Sequence, residues 1–279
     1  MEQDKEGIRP WSQGAQYWEK HRHTIREMFA PITEALIKDA EIVTGHSVLD
    51  VATGPGEPAL SIAELVGPAG DVTGIDPAPE MIAAARRAAQ RGRTTNAHFV
   101  VGFGGELSFP TRSFDAAVSR FGVMFFPSAV TGVREMLRVL KPERKLAFAV
   151  WHFAERNPFH YVFSRIVERY VPDEPGTSKS PDAFRFAAPG KLLTILREAG
   201  ATALSERLLE FKIEAALSAE DFWRLRSEMS DKIRTKLPML SKERLATVQD
   251  EIIQDLRPYS TLRGISFPAE VLIVSGTKG

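Results

Sequence analysis

From residue 47 to about 150, short apolar runs alternate with segments whose apolar positions recur every three to four residues. The runs Ser47–Ala52, Asp71–Asp76, Ala97–Gly102, Phe114–Arg120 and Lys145–Trp151 predict strands. The segments Glu57–Leu65, Pro79–Arg91 and Ser128–Leu140 predict the helices between them. In the last of these, Val130, Val133, Met136, Leu137 and Leu140 fall on one face, and Lys141-Pro142 ends the helix because proline cannot continue it. Strands alternating with helices predict a parallel α/β sheet.

The flanks follow other rhythms. Ile25, Met28, Phe29, Ile32 and Leu36 mark an amphipathic helix before the first strand. A less regular stretch, 152–189, holds a helix around Tyr161–Tyr170 and a Pro/Gly/Ser-rich loop, VPDEPGTSKSPD. Helix Lys191–Ala199 closes at Gly200, a favourable C-terminal cap. Strand Ala203–Ile213 follows, and 218–257 is helical again, with Leu245, Val248, Ile252 and Leu256 on one side. Glu270–Gly276 predicts a buried closing strand. The pattern divides the chain into N-terminal helices that form a lid (1–44), a core (45–151), a cap insertion (152–189) and the core continued (190–213). A second, helical cap insertion (214–265) and a final core strand (266–279) complete it. Ligands of open α/β sheets bind beyond the carboxyl ends of the strands, and a cap there encloses them.

The chemistry concentrates at the end of the first strand. Val48–Leu60 reads VLDVATGPGEPAL, a strand running into a Gly-Pro-Gly turn and then a helix. Gly54 and Gly56 lack a Cβ, so a ligand can approach the backbone. Counting Ala59, the spacing fits the Gly-x-Gly-x-x-Gly/Ala of dinucleotide binders. Asp76 ends the next strand, about 20 residues on, where a carboxylate accepts from both hydroxyls of a ribose. Two cofactor classes fit this much. Glu57 in the first helical turn and Asp50 before the loop are poor company for a pyrophosphate, which sits on a helix N-terminus. A cationic nucleoside without phosphate suits them better.

At this point the chain resembles a known family. VLDVATGPGEPAL, VTGIDPAPEMI, SFDAAVSRFGVMFFP and REMLRVLKPERKLAFAVW are similar, in order, to the motifs of class I S-adenosylmethionine-dependent methyltransferases, in the ubiquinone/menaquinone C-methyltransferase-like branch. The likeness runs over about 45–151, and EVLIVSG fits the family's final strand. It implies a Rossmann-like seven-stranded sheet with helical cap insertions, the last strand antiparallel between the fifth and sixth. It implies S-adenosyl-L-methionine as cofactor, with Asp50, Gly54 and Gly56 around the methionine end, Asp76 on the ribose and Met81 near the adenine edge. Ala52, Thr53 and Pro77 join the candidate set as their neighbours in the two loops. Relatives carry Gly-Asp-Ala after the third strand, where this chain has Gly102-Phe103-Gly104. Phe103 cannot accept from the adenine amino group, but can pack on the purine face, while backbone groups of Gly104 reach its edge.

Methyl transfer from a sulfonium is an in-line displacement in which the protein supplies alignment and excludes water, so no catalytic triad is required. Candidates beside the acceptor are His152 and Arg120, at the ends of the fifth and fourth strands. A histidine takes up a proton near neutral pH, and an arginine clamps an anion or braces the cap. Arg120 counts among the cofactor contacts as well. Trp11, Tyr17 and Trp18 are lid candidates. Composition narrows the partners. Lys+Arg and Asp+Glu balance at 36 each, which disfavours nucleic acid. There is no cysteine, hence no thiolate nucleophile or thiolate metal site. No apolar run is long enough to span a bilayer, and the charged start lacks a signal-peptide core, so a cytoplasmic protein is expected. The expected activity is methylation of a small, hydrophobic or aromatic acceptor. A nicotinamide-dependent oxidoreductase and a catalytically silent cofactor-binding protein stand as alternatives, the first on the glycine spacing and the second on Phe103.

Overall fold

The computed structural model describes residues 2–173 and 182–279, so most of the expected VPDEPGTSKSPD loop lies outside the described residues. Three helices come first: α1 (Glu2–Lys20), α2 (Arg22–Met28) and α3 (Ala30–Asp39). Then β1 (Ser47–Val51), α4 (Ala59–Val66), β2 (Asp71–Asp76), α5 (Pro79–Gly92) and β3 (Ala97–Val101) alternate. They are followed by β4 (Phe114–Arg120), α6 (Ala129–Val139) and β5 (Leu140–Trp151). The remainder comprises α7 (Pro158–Tyr170), α8 (Lys191–Ala199), β6 (Ala201–Ala215), α9 (Ala219–Met229), α10 (Asp231–Lys236), α11 (Lys242–Leu256), β7 (Ser260–Thr261) and β8 (Gly264–Lys278).

The sheet order is β3-β2-β1-β4-β5-β8-β6, with the two-residue β7 hairpinned onto β8. β1 to β5 pair in parallel, and β8 runs antiparallel to both β5 and β6. This is the expected arrangement, with one small strand added. Parallel strands covered on both faces read as continuous apolar runs, and β4 is buried from Phe114 to Ser119. The outward progression β1-β2-β3 reverses at β4, which returns to the other side of β1. A crevice therefore opens at the carboxyl ends of β1 and β4. Both ends carry non-glycine residues in the left-handed region, Ala52 (φ 61°) and Phe121 (φ 63°). Such conformations cost free energy and cluster at ligand sites. The two ends also press together, since a Cβ on Gly122 would fall 2.4 Å from that of Ala52.

The structure departs from expectation in the flanks. The single helix through Ile25–Leu36 is two, broken at Phe29. Pro31 lies in the first turn of α3, where its missing N–H is no loss, and its ring cannot continue α2. The closing strand is twice as long as expected because β8 and β6 extend together as a 15-residue antiparallel ribbon beyond the parallel sheet. The helical stretch 218–257 is three helices, of which α11 buries Val248, Ile252 and Leu256. These side chains belong to one core with β1, β4 and β5. No helix among the described residues is long and apolar enough to cross a membrane.

Candidate cofactor and acceptor site

Beyond Val51 the chain turns through Ala52, Thr53 and Gly54 towards α4, and the Thr53 N–H donates to the Ile75 carbonyl (2.9 Å), tying the turn to β2. Asp50 is fully buried, and its Oδ2 accepts from the N–H of Ala59, the first residue of α4 (3.1 Å). A carboxylate thus already occupies the helix N-terminus on which a pyrophosphate would rest. Its Oδ1 and the neighbouring Thr53 Oγ1 are buried without partners. Burial pushes the Asp50 carboxyl up to about 7, against the opposing pull of the nearby Thr53 hydroxyl, which lies beyond good hydrogen-bond geometry, and then of Arg120. Gly54 has φ 55°, and a Cβ there would meet nothing within 4 Å, so space lies open in front of it. Gly56 differs. At φ 105° its Cβ would sit 3.0 Å from Leu60 Cδ1 and 3.3 Å from Ala85 Cβ, so its missing side chain serves helix packing.

Glu57 lies before α4 rather than in its first turn. Its carboxylate accepts from Ser61 Oγ (2.7 Å) and faces Arg26 Nε (3.7 Å) and Arg22 Nη1 (4.0 Å) of α2. Asp50 therefore opposes a pyrophosphate at this helix end, whereas Glu57 ties the loop to the N-terminal helices.

Asp76 ends β2, nearly buried. Its Oδ2 accepts from the Gly54 N–H (3.0 Å) and its Oδ1 from the Ala78 N–H (2.9 Å). Each oxygen keeps a second lone pair for a ligand. Burial raises this carboxyl to about 6 despite both bonds. Met81, in the first turns of α5, is buried against Ala15 and Ala78, with Ile8, Trp11 and Trp18 around it. Helix α1 thus lies over this end of the loop, and Trp11 meets Phe125 edge-on at 5.1 Å. Between α1 and Pro77-Pro79 is a cavity of about 460 Å³ lined by Ile8, Arg9, Ser12, Pro77 and Pro79.

After β3, the Gly102 N–H donates to the Asp76 carbonyl (3.1 Å), which brings the 102–106 turn beside Asp76. Phe103 is 42% exposed there, outside the core. Gly104 packs tightly, with Phe126 and Val51 about where a Cβ would be (2.9 and 3.0 Å).

The two acceptor-side candidates are separated by the structure. Arg120 donates to Thr33 Oγ1 of α3 (2.9 Å) and to the Glu57 carbonyl (3.3 Å), spanning α3 and the glycine loop. His152 pairs through Nδ1 with Glu270 of β8 (2.7 Å). Asn157, fully buried, fastens that corner: its Nδ2 donates to the carbonyls of Phe153 (3.1 Å) and Glu270 (3.0 Å), and its Oδ1 accepts from the Glu270 N–H (3.0 Å). Glu270, Thr33 and Asn157 are invisible to sequence reasoning, since each lies far along the chain from its partner or in an unremarkable loop. Between the two corners lies an aromatic cluster. Phe121 stacks on Trp151 (4.3 Å, 6° between planes), and Phe29 and Phe159 pack around Trp151 at 6.0 and 6.3 Å.

Two buried carboxylates, one with an oxygen lacking a partner, flank a loop with an open glycine face at the switch point of a Rossmann-like sheet. The donor set fits a cationic nucleoside such as S-adenosylmethionine and leaves no seat for a pyrophosphate. Comparisons with known proteins agree. Residues 48–143 match the model of the methyltransferase domain family. Nocamycin O-methyltransferase of Saccharothrix syringae is 28% identical over 262 residues, covering 90% of this chain and 91% of that protein. A demethylmenaquinone methyltransferase of Listeria welshimeri is 30% identical over 188 residues, covering 60% of this chain and 80% of that protein. The fold matches that of the YcgJ protein of Bacillus subtilis with a TM-score of 0.57 at 21% identity, over 88% of this chain and 97% of that one. The chain belongs to the class I S-adenosylmethionine-dependent methyltransferases. It is an enzyme that moves a methyl group from S-adenosylmethionine to a small-molecule acceptor.

Proposed function

We propose that Asp50, Ala52, Thr53 and Gly54 line the methionine end of the cofactor, that Asp76 and Pro77 hold the ribose, and that Met81, Phe103 and Gly104 bound the adenine. The acceptor is a hydrophobic or aromatic molecule that enters beside Phe121 and Trp151. When bound, S-adenosylmethionine supplies an already activated methyl group on a sulfonium. The protein's own residues then align the acceptor and exclude water, Arg120 braces the loop against α3, and Gly56 keeps α4 packed on α5. His152, oriented by Glu270, takes a proton where the acceptor must lose one. The observation that carries the reading is the buried, partly unpartnered Asp50 carboxylate beside the open face of Gly54. The acceptor class is supported by the aromatic cluster and by the compounds for which the two relatives are named. Calorimetric titration tests the whole: S-adenosylmethionine binds and NAD does not, and the reverse result overturns it.

The pH dependence of binding follows from the same carboxylates. Asp50 and Asp76 have pKa values raised from 3.8 to about 7 and about 6, so each holds a proton longer in the folded chain than in the unfolded one. Their contribution to folding is therefore present below about pH 4 and lost as pH rises through their folded values. A cationic ligand reverses the preference by favouring the ionised forms, and binding releases protons. Affinity for S-adenosylmethionine should rise about tenfold or more between roughly pH 5.5 and 7.5. Calorimetry in two buffers of different ionisation enthalpy should register proton release. The variant His152→Gln should leave that release in place while lowering turnover. A pH-independent affinity would remove both carboxylates from the cation's surroundings.

Phe103 offers a milder test. Being exposed, Phe103→Asp should shift folding stability by no more than about 0.5 kcal/mol. It should also raise several-fold the preference for S-adenosylmethionine over an analogue lacking the adenine amino group, because a carboxylate accepts from that group. Unaltered selectivity would detach the 102–106 turn from the adenine.

A further inference from the structure

Helix α9 turns Phe222, Trp223, Leu225 and Met229 into the molecule, and among them one charged residue, Arg226, which is 7% exposed. Its guanidinium lies 4.0 Å from the ring centroid of Phe159 and 5.5 Å from that of Phe163. Among the described residues no carboxylate pairs with it, and its Nε is buried without a partner. Arg120, by contrast, has both a hydroxyl and a carbonyl acceptor. Aromatic faces attract a guanidinium, yet they do not accept its in-plane hydrogen bonds, and a buried charge left unpaired is costly. Burial lowers the pKa of Arg226 to about 10, which still leaves it charged at neutral pH.

A second unpartnered group lies beside it. His160 Nε2 is buried with no hydrogen-bond partner, its ring edge-on to Trp151 (4.4 Å) and near Phe159 and Phe184 (both 5.2 Å). Burial first, and the charge of Arg226 second, hold His160 well below its usual pKa, so it is neutral. Neither group is among the residues proposed to hold the donor. Both adjoin the aromatic cluster proposed to receive the acceptor. Phe121, which follows β4 at the glycine loop, stacks on Trp151, and Trp151 in turn meets His160 and Phe159.

We infer that Arg226 anchors an anionic group of the acceptor, with His160 Nε2 as the adjacent hydrogen-bond partner, so that the substrates are aromatic molecules bearing a carboxylate or an equally acidic enol. The inference rests on the proposed placement of the acceptor at Phe121 and Trp151. It gives the site a polarity: carboxylates Asp50 and Asp76 face a cationic donor, and a lone guanidinium faces an anionic acceptor. The planar fork of arginine suits two-point capture of a carboxylate.

The test uses the full chain with S-adenosylhomocysteine bound, and 2-naphthoate and 2-naphthamide as probes of equal shape and different charge. Calorimetry of the cofactor alone reports first whether the donor site stands, independently of the probes. Naphthoate should bind at least tenfold more tightly than naphthamide. Arg226→Met should erase that preference while leaving naphthamide and S-adenosylhomocysteine affinities within about twofold of the parent. Arg226→Lys, which keeps the charge and loses the fork, should retain part of it, and supplies the comparison should the methionine variant not fold. Equal affinity for the two probes, binding of neither, or a preference that survives Arg226→Met would overturn the inference and leave Arg226 a packing residue held by Phe159 and Phe163.

Discussion

Replacing Gly54 with valine should abolish cofactor binding in a chain that still folds. Gly54 has φ 55°, where a β-branched residue is an outlier, so the substitution carries a strain of about 1–3 kcal/mol. The protein itself has room for the new side chain, since a Cβ there meets no atom within 4 Å. That room is the space in which the cofactor is proposed to lie, and a branched side chain fills it. Affinity for S-adenosylhomocysteine should fall by more than about 100-fold, equivalent to about 2.7 kcal/mol. Circular dichroism on the same sample should show the native spectrum. Gly56→Val provides the contrast. At φ 105° a side chain is strained, and its Cβ would crowd Leu60 and Ala85 at 3.0 and 3.3 Å, so stability falls together with binding. Retained binding in Gly54→Val would place the cofactor elsewhere.

The second large effect is expected at Asp76. Removing its carboxylate in Asp76→Ala deletes the acceptors of the Gly54 and Ala78 N–H groups, at 3.0 and 2.9 Å, and the acceptor proposed for the ribose hydroxyls. Hydrogen bonds to a charged group contribute about 1.5–3 kcal/mol each, so affinity should drop by roughly 10- to 100-fold or more. Asp76→Asn distinguishes the two roles. Its amide oxygen can keep the bond to Ala78, whereas its NH₂ cannot accept from Gly54, so an intermediate loss is expected if loop shape and ribose contact both matter. Calorimetry with S-adenosylhomocysteine checks both variants, and an unchanged dissociation constant in Asp76→Ala would take Asp76 out of the site.

These two positions are also those most legible in the chain. A glycine turn after a strand and an acidic residue at the end of the next are short-range patterns, and the strand-turn-helix that displays them is built from residues adjacent in sequence. Arg226 could have been read from the same kind of pattern, since Phe222, Trp223, Leu225 and Met229 mark the buried face of α9 and an arginine falls among them. The break at Phe29 was similarly open to a closer reading of Pro31, which starts a helix more readily than it continues one.

The order of strands and helices in the core, the glycine turn and the two carboxylates are settled by local patterning, because apolar periodicity and turn chemistry act over a few residues. What each charge does is decided only by tertiary structure. Glu57 turns to Arg22 and Arg26, Arg120 is spoken for by Thr33, and His152 finds Glu270 across the sheet. In the same way the Asp50 carboxyl is raised to about 7 by burial in the folded chain. Desolvation and pairing depend on which distant segments arrive beside a group, and hydrophobic periodicity says which face is buried but not against what.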